Sequence, residues 1–248
     1  MLPQTNLQLY RTLQSQGYAA SAVTQVGAAY DLSRQLFAGC YRPSHKTFDA
    51  HLNGAAGALA LWRQPLPVVI AGLLHSAYLY GNFGDGQRGA TAPRRRVVRQ
   101  IVGVEAEQLI LEYTSQRWPA ALEPLRREFE SGELSKDLVA IKLADLCDES
   151  VDGGHHYAPT KPLAFGLSDG RTSRPAFLEF VERVAGPAAR DLFAIVLTAS
   201  DDVAPPAELV NADRSFHAVA PGVEGLRRSR VRQRLGRIAN RLSSKRVA

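Results

Sequence analysis

The chain has 248 residues, of which 45% are hydrophobic and 22% are charged, and this balance favours a packed globular core over disorder. Its apolar runs are all shorter than the roughly 18 residues that a membrane-spanning helix needs, so no transmembrane segment is predicted. The first residues lack the pattern of a secretory signal, and two cysteines, Cys40 and Cys147, are too few for a disulfide framework. We therefore expect a cytoplasmic protein.

Positive charge is concentrated in the last 23 residues. The whole chain has a net charge of +6, but residues 226–248 contain nine Lys and Arg and no acidic residue, which leaves 21 basic and 24 acidic side chains before them. Four apolar residues of this segment fall on one stripe of a helical wheel: Val231, Leu235, Ile238 and Leu242. We predict a helical domain over residues 1–225 and a basic C-terminal helix or tail over 226–248. Such a tail is suited to contact an anionic surface, either lipid, nucleic acid or the slightly acidic domain itself.

Apolar residues recur at helical spacing along most of the chain. The predicted helices are, in chain order, 6–38 with an interruption at Gly17, 49–63, 67–80, 96–115, 134–150 and 174–199. The segments 39–48, 81–95 and 151–162 are rich in Gly, Pro or polar residues and are predicted to be irregular. No alternating strand pattern and no internal repeat is apparent. The sequence therefore predicts an all-α fold of about eight to ten helices.

Three ionisable residues interrupt apolar helical faces. His51 lies on the helical face of Ala55, Ala58 and Trp62. His75 lies on the face of Val68 and Ala71, and Asp145 lies on the face of Leu138 and Ile141. A buried carboxylate needs a partner, and Lys142, three residues before Asp145, is one candidate. A divalent metal ion shared with the two imidazoles is another, and it explains all three residues together. We therefore predict a metal site formed by His51, His75 and Asp145, although each histidine alone also fits a hydrogen-bonded core residue.

Four segments of the chain resemble, in order and spacing, the hydrolase domain of stringent-response (p)ppGpp hydrolases. They are RPSHKTFDAH (42–51), VVIAGLLHS (68–76), IVGVEAEQLILEYTS (101–115) and LVAIKLADLCDE (138–149). Those enzymes belong to the HD superfamily, which is named for its His-Asp metal-binding pair, and the similarity covers about residues 30–150. The resemblance implies an HD-domain-like helical bundle, here with additional C-terminal helices, and metal-dependent phosphohydrolase chemistry.

The resemblance also implies roles for individual residues. It assigns the metal to His51, His75 and Asp145, and it makes Arg42, Ser44 and Lys142 candidates for substrate binding. Tyr80 is a further candidate, either stacking on a base or sugar or filling the wall of the pocket.

The departures from the family pattern concern acidic residues. Ser76 stands at the Asp of the HD pair, and Leu79 and Tyr80 stand where the hydrolases have the Glu-Asp pair that activates water. His45 stands where glycine is usual. Ordinary (p)ppGpp hydrolysis is therefore not expected, and no catalytic residue is assigned. Three other residues are candidates for a replacement base: Asp85, Glu105 and His45.

Several functions fit this sequence. The leading interpretation is a diverged HD-fold metal-dependent enzyme that holds Mn, Fe or Zn and acts, by hydrolysis, on a small phosphorylated or nucleotide-like molecule. Two histidines and one carboxylate also suit non-haem iron oxygenase-type chemistry, for which His155 or His156 is a candidate additional ligand or else a solvated loop residue. The third interpretation is a non-catalytic nucleotide-sensing or scaffold module, and a weaker one is nucleic-acid association through the tail. The sequence leaves the oligomeric state open.

Overall fold

A computed structural model describes residues 2–158, 164–167, 170–210 and 217–218, and within these ranges the chain is predominantly helical. The helices are α1 (Asn6–Ser15), α2 (Ala20–Phe37), α3 (Phe48–Leu61), α4 (Leu66–Leu74), α5 (Ala77–Tyr80), α6 (Ala92–Val102), α7 (Val104–Ser115), α8 (Leu122–Glu130), α9 (Lys136–Val151), α10 (Gly154–Tyr157), α11 (Arg174–Ala185) and α12 (Pro187–Asp201). Two 3₁₀ helices, Ala164–Gly166 and Ala207–Leu209, follow α10 and α12 respectively. Two short strands, β1 (Cys40–Tyr41) and β2 (His217–Ala218), pair antiparallel. The all-α prediction is confirmed.

Helix α3 is the centre of the bundle. Every residue from His51 to Ala60 is buried, and the helix packs against α9 and α4 and, less extensively, against α1 and α2. A helix that is apolar on all sides is stable only when neighbours surround it, and its many alanines and glycines let those neighbours approach closely. The Thr47 side chain caps the helix by accepting a hydrogen bond from the Ala50 backbone N–H. This arrangement brings the first turn of α3 next to α4 and α9.

Two predicted helices are each divided by a glycine. The predicted helix 96–115 starts earlier, as α6, and breaks at Gly103, while 174–199 is α11 and α12 with a break at Gly186. These glycines have φ/ψ of 87°/170° and 90°/175°, a region that side chains with a Cβ rarely enter. Hydrophobic periodicity continues on both sides of each glycine, so the pattern alone did not reveal the breaks.

Other departures from the predicted elements are local. The predicted helix 67–80 is interrupted between α4 and α5, at His75 and Ser76. The segments 81–95 and 151–162, predicted to be irregular, contain the start of α6 and the short α10, and α8 was not predicted. The predicted tail, 226–248, lies outside the described residues. None of the described helices is both long and apolar enough to cross a membrane.

The glycine between α11 and α12 provides a test of the fold. We expect Gly186→Ala to lower the free energy of unfolding by about 1–3 kcal/mol, because alanine is strained in that backbone conformation. Urea unfolding followed by circular dichroism measures the change. Gly27→Ala in α2 is the matched control, since the added Cβ would lie 3.6 Å from Tyr10 Oη, an ordinary contact, in a helix interior. Equal destabilisation by the two substitutions would contradict the expectation.

Candidate functional site

The three predicted metal ligands come together from three helices. His51 lies in the first turn of α3, His75 at the end of α4 and Asp145 in the middle of α9, and all three are buried. One donor atom from each side chain lies within 4.8 Å of the other two. Among the residues that the structure describes, this is the one such group of His, Cys, Asp and Glu side chains. The group is arranged so that it could hold a metal ion.

Both imidazoles turn Nε2 toward the centre and use Nδ1 for a hydrogen bond on the opposite side of the ring. His51 Nδ1 lies 2.7 Å from Asp148 Oδ2, and His75 Nδ1 lies 2.7 Å from the Gly72 carbonyl oxygen. Because both partners are acceptors, each Nδ1 carries a hydrogen, and in the neutral ring each Nε2 then presents a lone pair. The Gly72 carbonyl belongs to the last turn of α4, where backbone acceptors lack helical partners, so the end of the helix itself orients His75.

Asp145 presents one carboxylate oxygen to the centre and uses the other for support. Its Oδ2 accepts hydrogen bonds from Tyr113 Oη at 2.9 Å and from Lys142 Nζ at 2.8 Å. Its Oδ1 is buried and accepts no hydrogen bond. A buried carboxylate oxygen without a donor is unfavourable, and a cation at the centre would satisfy it.

The spacing of the three atoms fits metal ligation. Asp145 Oδ1 lies 3.3 Å from His51 Nε2 and 3.7 Å from His75 Nε2, and the two Nε2 atoms are 3.4 Å apart. Two ligand atoms that each lie about 2.1 Å from a tetrahedral zinc ion are roughly 3.4 Å from one another. The residues present therefore fit a small divalent ion, with coordination positions left over.

The comparisons with known proteins add one finding. Residues 33–117 match the model of a domain of unknown function (DUF6817). The DUF6817 match runs from within α2 to just beyond α7, so it contains His51 and His75 and ends before Asp145. No curated protein matches the chain.

Burial and charge set the protonation states of the centre. Burial is the main reason why the pKa of His75 falls to about 4, so this ring is neutral near pH 7. Burial opposes ionisation of Asp145, but the positive charges of Lys142 and Arg42 and the contact with His51 outweigh it and hold the pKa of Asp145 well below the usual value. The centre thus combines a neutral imidazole with an ionised carboxylate, the forms that bind metal.

The predicted substrate residues lie around this centre. The Arg42 guanidinium forms an ion pair with Glu149 and lies 3.8 Å from Asp145 Oδ1. Ser44 lines a cavity of about 20 Å³ next to Arg42, which has room for about one water molecule. Lys142 bonds to Asp145 directly, while Tyr80, 43% exposed, packs its ring against Phe48 with centroids 5.9 Å apart.

Other candidates do not join the centre. Asp85, in the loop 81–91, accepts a hydrogen bond from Arg94 of α6, and Glu105 is exposed on α7. His155 and His156, expected to be either additional ligands or solvated loop residues, are partly buried in α10, and His156 Nε2 lies 3.0 Å from the Ser200 carbonyl oxygen. His45 is exposed in the turn before α3.

Two supporting residues were missed from the sequence. Asp148 binds His51, and Tyr113 binds Asp145. Helical spacing could have placed both residues on the relevant faces. Asp148 follows Asp145 by three residues, and Tyr113 follows the apolar Ile110 by three, so each pair shares one face of a helix. Nothing in that local spacing identifies the distant partner that each one reaches.

The neutral state of His75 predicts a dependence of stability on pH. The folded-state pKa of about 4 lies below the ordinary value of 6.5, so the unfolded chain binds this proton first and acid favours unfolding between those values. We expect the metal-free protein to lose about 2–3 kcal/mol through this residue between pH 7 and pH 4.5. Urea unfolding in the presence of a chelator measures it, with His75→Gln as the comparison. An identical pH dependence in the two proteins would contradict the assignment.

Proposed function

We propose that this protein is a metal-dependent enzyme of the HD-fold type, in which His51, His75 and Asp145 hold one divalent ion, either Mn, Fe or Zn. The observation that carries the proposal is the convergence of three donor atoms from three helices on one buried point. The four family-like segments support it, since three of them contribute a ligand: the first His51, the second His75 and the fourth Asp145. The substrate we propose is a small phosphorylated or nucleotide-like molecule.

The turn before α3 also supports an HD-type assignment. His45 occupies the position where the resembled motif has glycine, and its φ of 65° lies in the left-handed region that favours glycine. The chain therefore keeps a glycine-like backbone at this position despite carrying a side chain there. The same turn supports Arg42 and Ser44, because the His45 N–H donates a hydrogen bond to the Arg42 carbonyl oxygen at 2.9 Å.

The residues of the chain prepare the centre for metal-assisted hydrolysis. A divalent ion bound there would act as a Lewis acid and lower the pKa of water. Tyr113 and Lys142 occupy one oxygen of Asp145 and so direct the other toward the ion. Two imidazoles and one carboxylate leave coordination positions open for water and substrate.

The charge around the centre favours an anionic substrate. Each of the three cations around the centre is paired with a carboxylate: Arg42 with Glu149, Lys46 with Asp148 and Lys142 with Asp145. A divalent ion would add positive charge that these pairs do not compensate, and this favours an anionic ligand such as a phosphate group. Arg42, with its planar guanidinium, and the exposed ring of Tyr80 are the groups we assign to binding the phosphate and the base or sugar.

A second candidate function is oxidation at a non-haem iron centre. Its support is the donor set itself, because two histidines and one carboxylate with open positions are typical of Fe(II) oxygenases. Loss of the acidic pair at Leu79 and Tyr80 removes the base that family-type hydrolysis uses, and oxidation has no need of it. The identity of the resident metal separates the two functions.

The metal centre can be tested by elemental analysis of the purified protein. We expect close to one Mn, Fe or Zn ion per chain, lost in His51→Gln, His75→Gln and Asp145→Asn. His156→Ala is the matched control, because His156 faces the Ser200 carbonyl rather than the centre. Restoring metal to the stripped protein should stabilise it by about 2.7 kcal/mol when free metal is about 100 times the dissociation constant. A protein that carries no metal and is indifferent to chelator would favour the non-catalytic module instead.

The reaction can be tested with the metal-loaded protein and a panel of nucleoside mono-, di-, tri- and tetraphosphates. We expect release of phosphate or pyrophosphate that disappears in Asp145→Asn, with (p)ppGpp among the poorest substrates because Leu79 and Tyr80 replace the water-activating acids. Oxygen consumption by the iron-loaded protein is measured in parallel. Oxygen uptake without phosphate release would replace hydrolysis with the oxidative function, and inactivity in both assays would contradict the enzymatic proposal.

A further inference from the structure

Asp148 is a fully buried carboxylate next to the metal centre but outside the ligand set. It lies on α9, three residues after the ligand Asp145, and its side chain has no exposed surface. A charge in such a position is costly unless the surrounding groups compensate it. The contacts of Asp148 therefore indicate what the residue does.

The two oxygens of Asp148 have different partners. Oδ2 accepts the hydrogen bond from His51 Nδ1 at 2.7 Å. Oδ1 accepts hydrogen bonds from Lys46 Nζ at 2.9 Å and Gln4 Nε2 at 3.0 Å. The carboxylate is compensated on one side by Lys46 and directed on the other side at His51, the candidate metal ligand.

The packing of α3 leaves space for this carboxylate. A Cβ added at Gly54, one turn after His51, would overlap Asp148 Oδ1. Any larger residue at position 54 would therefore displace the carboxylate from His51. The absence of a side chain at Gly54 is what allows α9 to reach the outer nitrogen of a histidine on α3.

We propose that Asp148 is a positioning residue that fixes the His51 tautomer with Nε2 free for metal and strengthens His51 as a ligand, while Lys46 balances its charge. This inference rests on the proposed metal centre. A carboxylate bonded to the outer N–H of a ligating imidazole orients the ring and increases the electron density on its other nitrogen. Without Asp148 the proton can occupy either nitrogen, and the fraction of His51 that is competent to bind metal falls.

The direct test is the affinity of Asp148→Asn for Zn²⁺, measured by competition with a chromophoric chelator. We expect affinity to fall about 10- to 100-fold. Asp152→Asn is the matched control, because Asp152 Oδ2 also contacts Lys46 Nζ, at 3.0 Å, but has no contact with His51. We expect that control to bind Zn²⁺ as tightly as the unaltered protein.

Two further measurements keep the proposal testable if Asp148→Asn folds poorly. Gly54→Ala displaces the carboxylate without changing any ionisable group, and Gly57→Ala places a similar overlap on the same helix, against Pro3. We expect Gly54→Ala alone to weaken Zn²⁺ binding. The ¹⁵N shifts of His51 in the metal-free protein report its tautomer directly, and we expect protonated Nδ1 in the unaltered protein and a mixture in the variants that disturb Asp148.

The outcomes separate this inference from the proposed function. If the unaltered protein binds Zn²⁺ and Asp148→Asn binds it equally well with the same His51 tautomer, the positioning role is wrong and the metal centre stands. If neither protein binds Zn²⁺ although both are folded, the metal centre and the inference both fail. Weaker binding by Asp148→Asn and Gly54→Ala, with both controls unchanged, supports the positioning role.

Discussion

The candidate metal site depends on one physical constraint: Asp145 Oδ1 is buried against two imidazole nitrogens and accepts no hydrogen bond. Three electron-pair donors so close together repel one another in a medium of low dielectric constant, and a cation between them is the occupant that satisfies all three at once. The neighbouring contacts maintain this arrangement rather than relieve it. Tyr113 and Lys142 hold the outer oxygen of Asp145, while the Gly72 carbonyl and the Asp148 carboxylate hold the outer nitrogens of the histidines.

The fold holds the side chains of the site in place where a helix ends and where two helices pack closely. The end of α4 leaves the Gly72 carbonyl without a helical donor, and the adjacent His75 supplies one from its side chain. Close packing of α3 against α9 brings Asp148 to His51 through the space left at Gly54. The candidate ligands are thus oriented by the helix end and by helix–helix packing, so a metal bound there would couple its affinity to the stability of the bundle.

The clustering of the three candidate ligands could be expected from the sequence because each one violates a local pattern. A histidine or aspartate on an otherwise apolar helical face is visible in a single helix, and the family-like segments gave the same three residues. Asp148 and Tyr113 were not predicted because their role depends on which distant helix they face, and spacing along one helix does not contain that information. The breaks at Gly103 and Gly186 were missed for a related reason: a positive φ leaves the hydrophobic period on each side unchanged.

The proposed site differs in charge from the site of the resembled hydrolases, and the difference has two opposed effects. Ser76, Leu79 and Tyr80 stand where the resembled hydrolases have three carboxylates, so this centre has up to three fewer negative charges with the same metal bound. An anionic ligand is therefore attracted more strongly, while the proton acceptor that would activate water is missing. Leu79 and Tyr80 are 49% and 43% exposed, so no buried group takes over at those positions. For the proposed function we therefore expect tight binding of an anionic ligand and slow hydrolysis of it, because the same substitutions favour binding and disfavour turnover. A protein with these two properties would be intermediate between an enzyme and a nucleotide sensor.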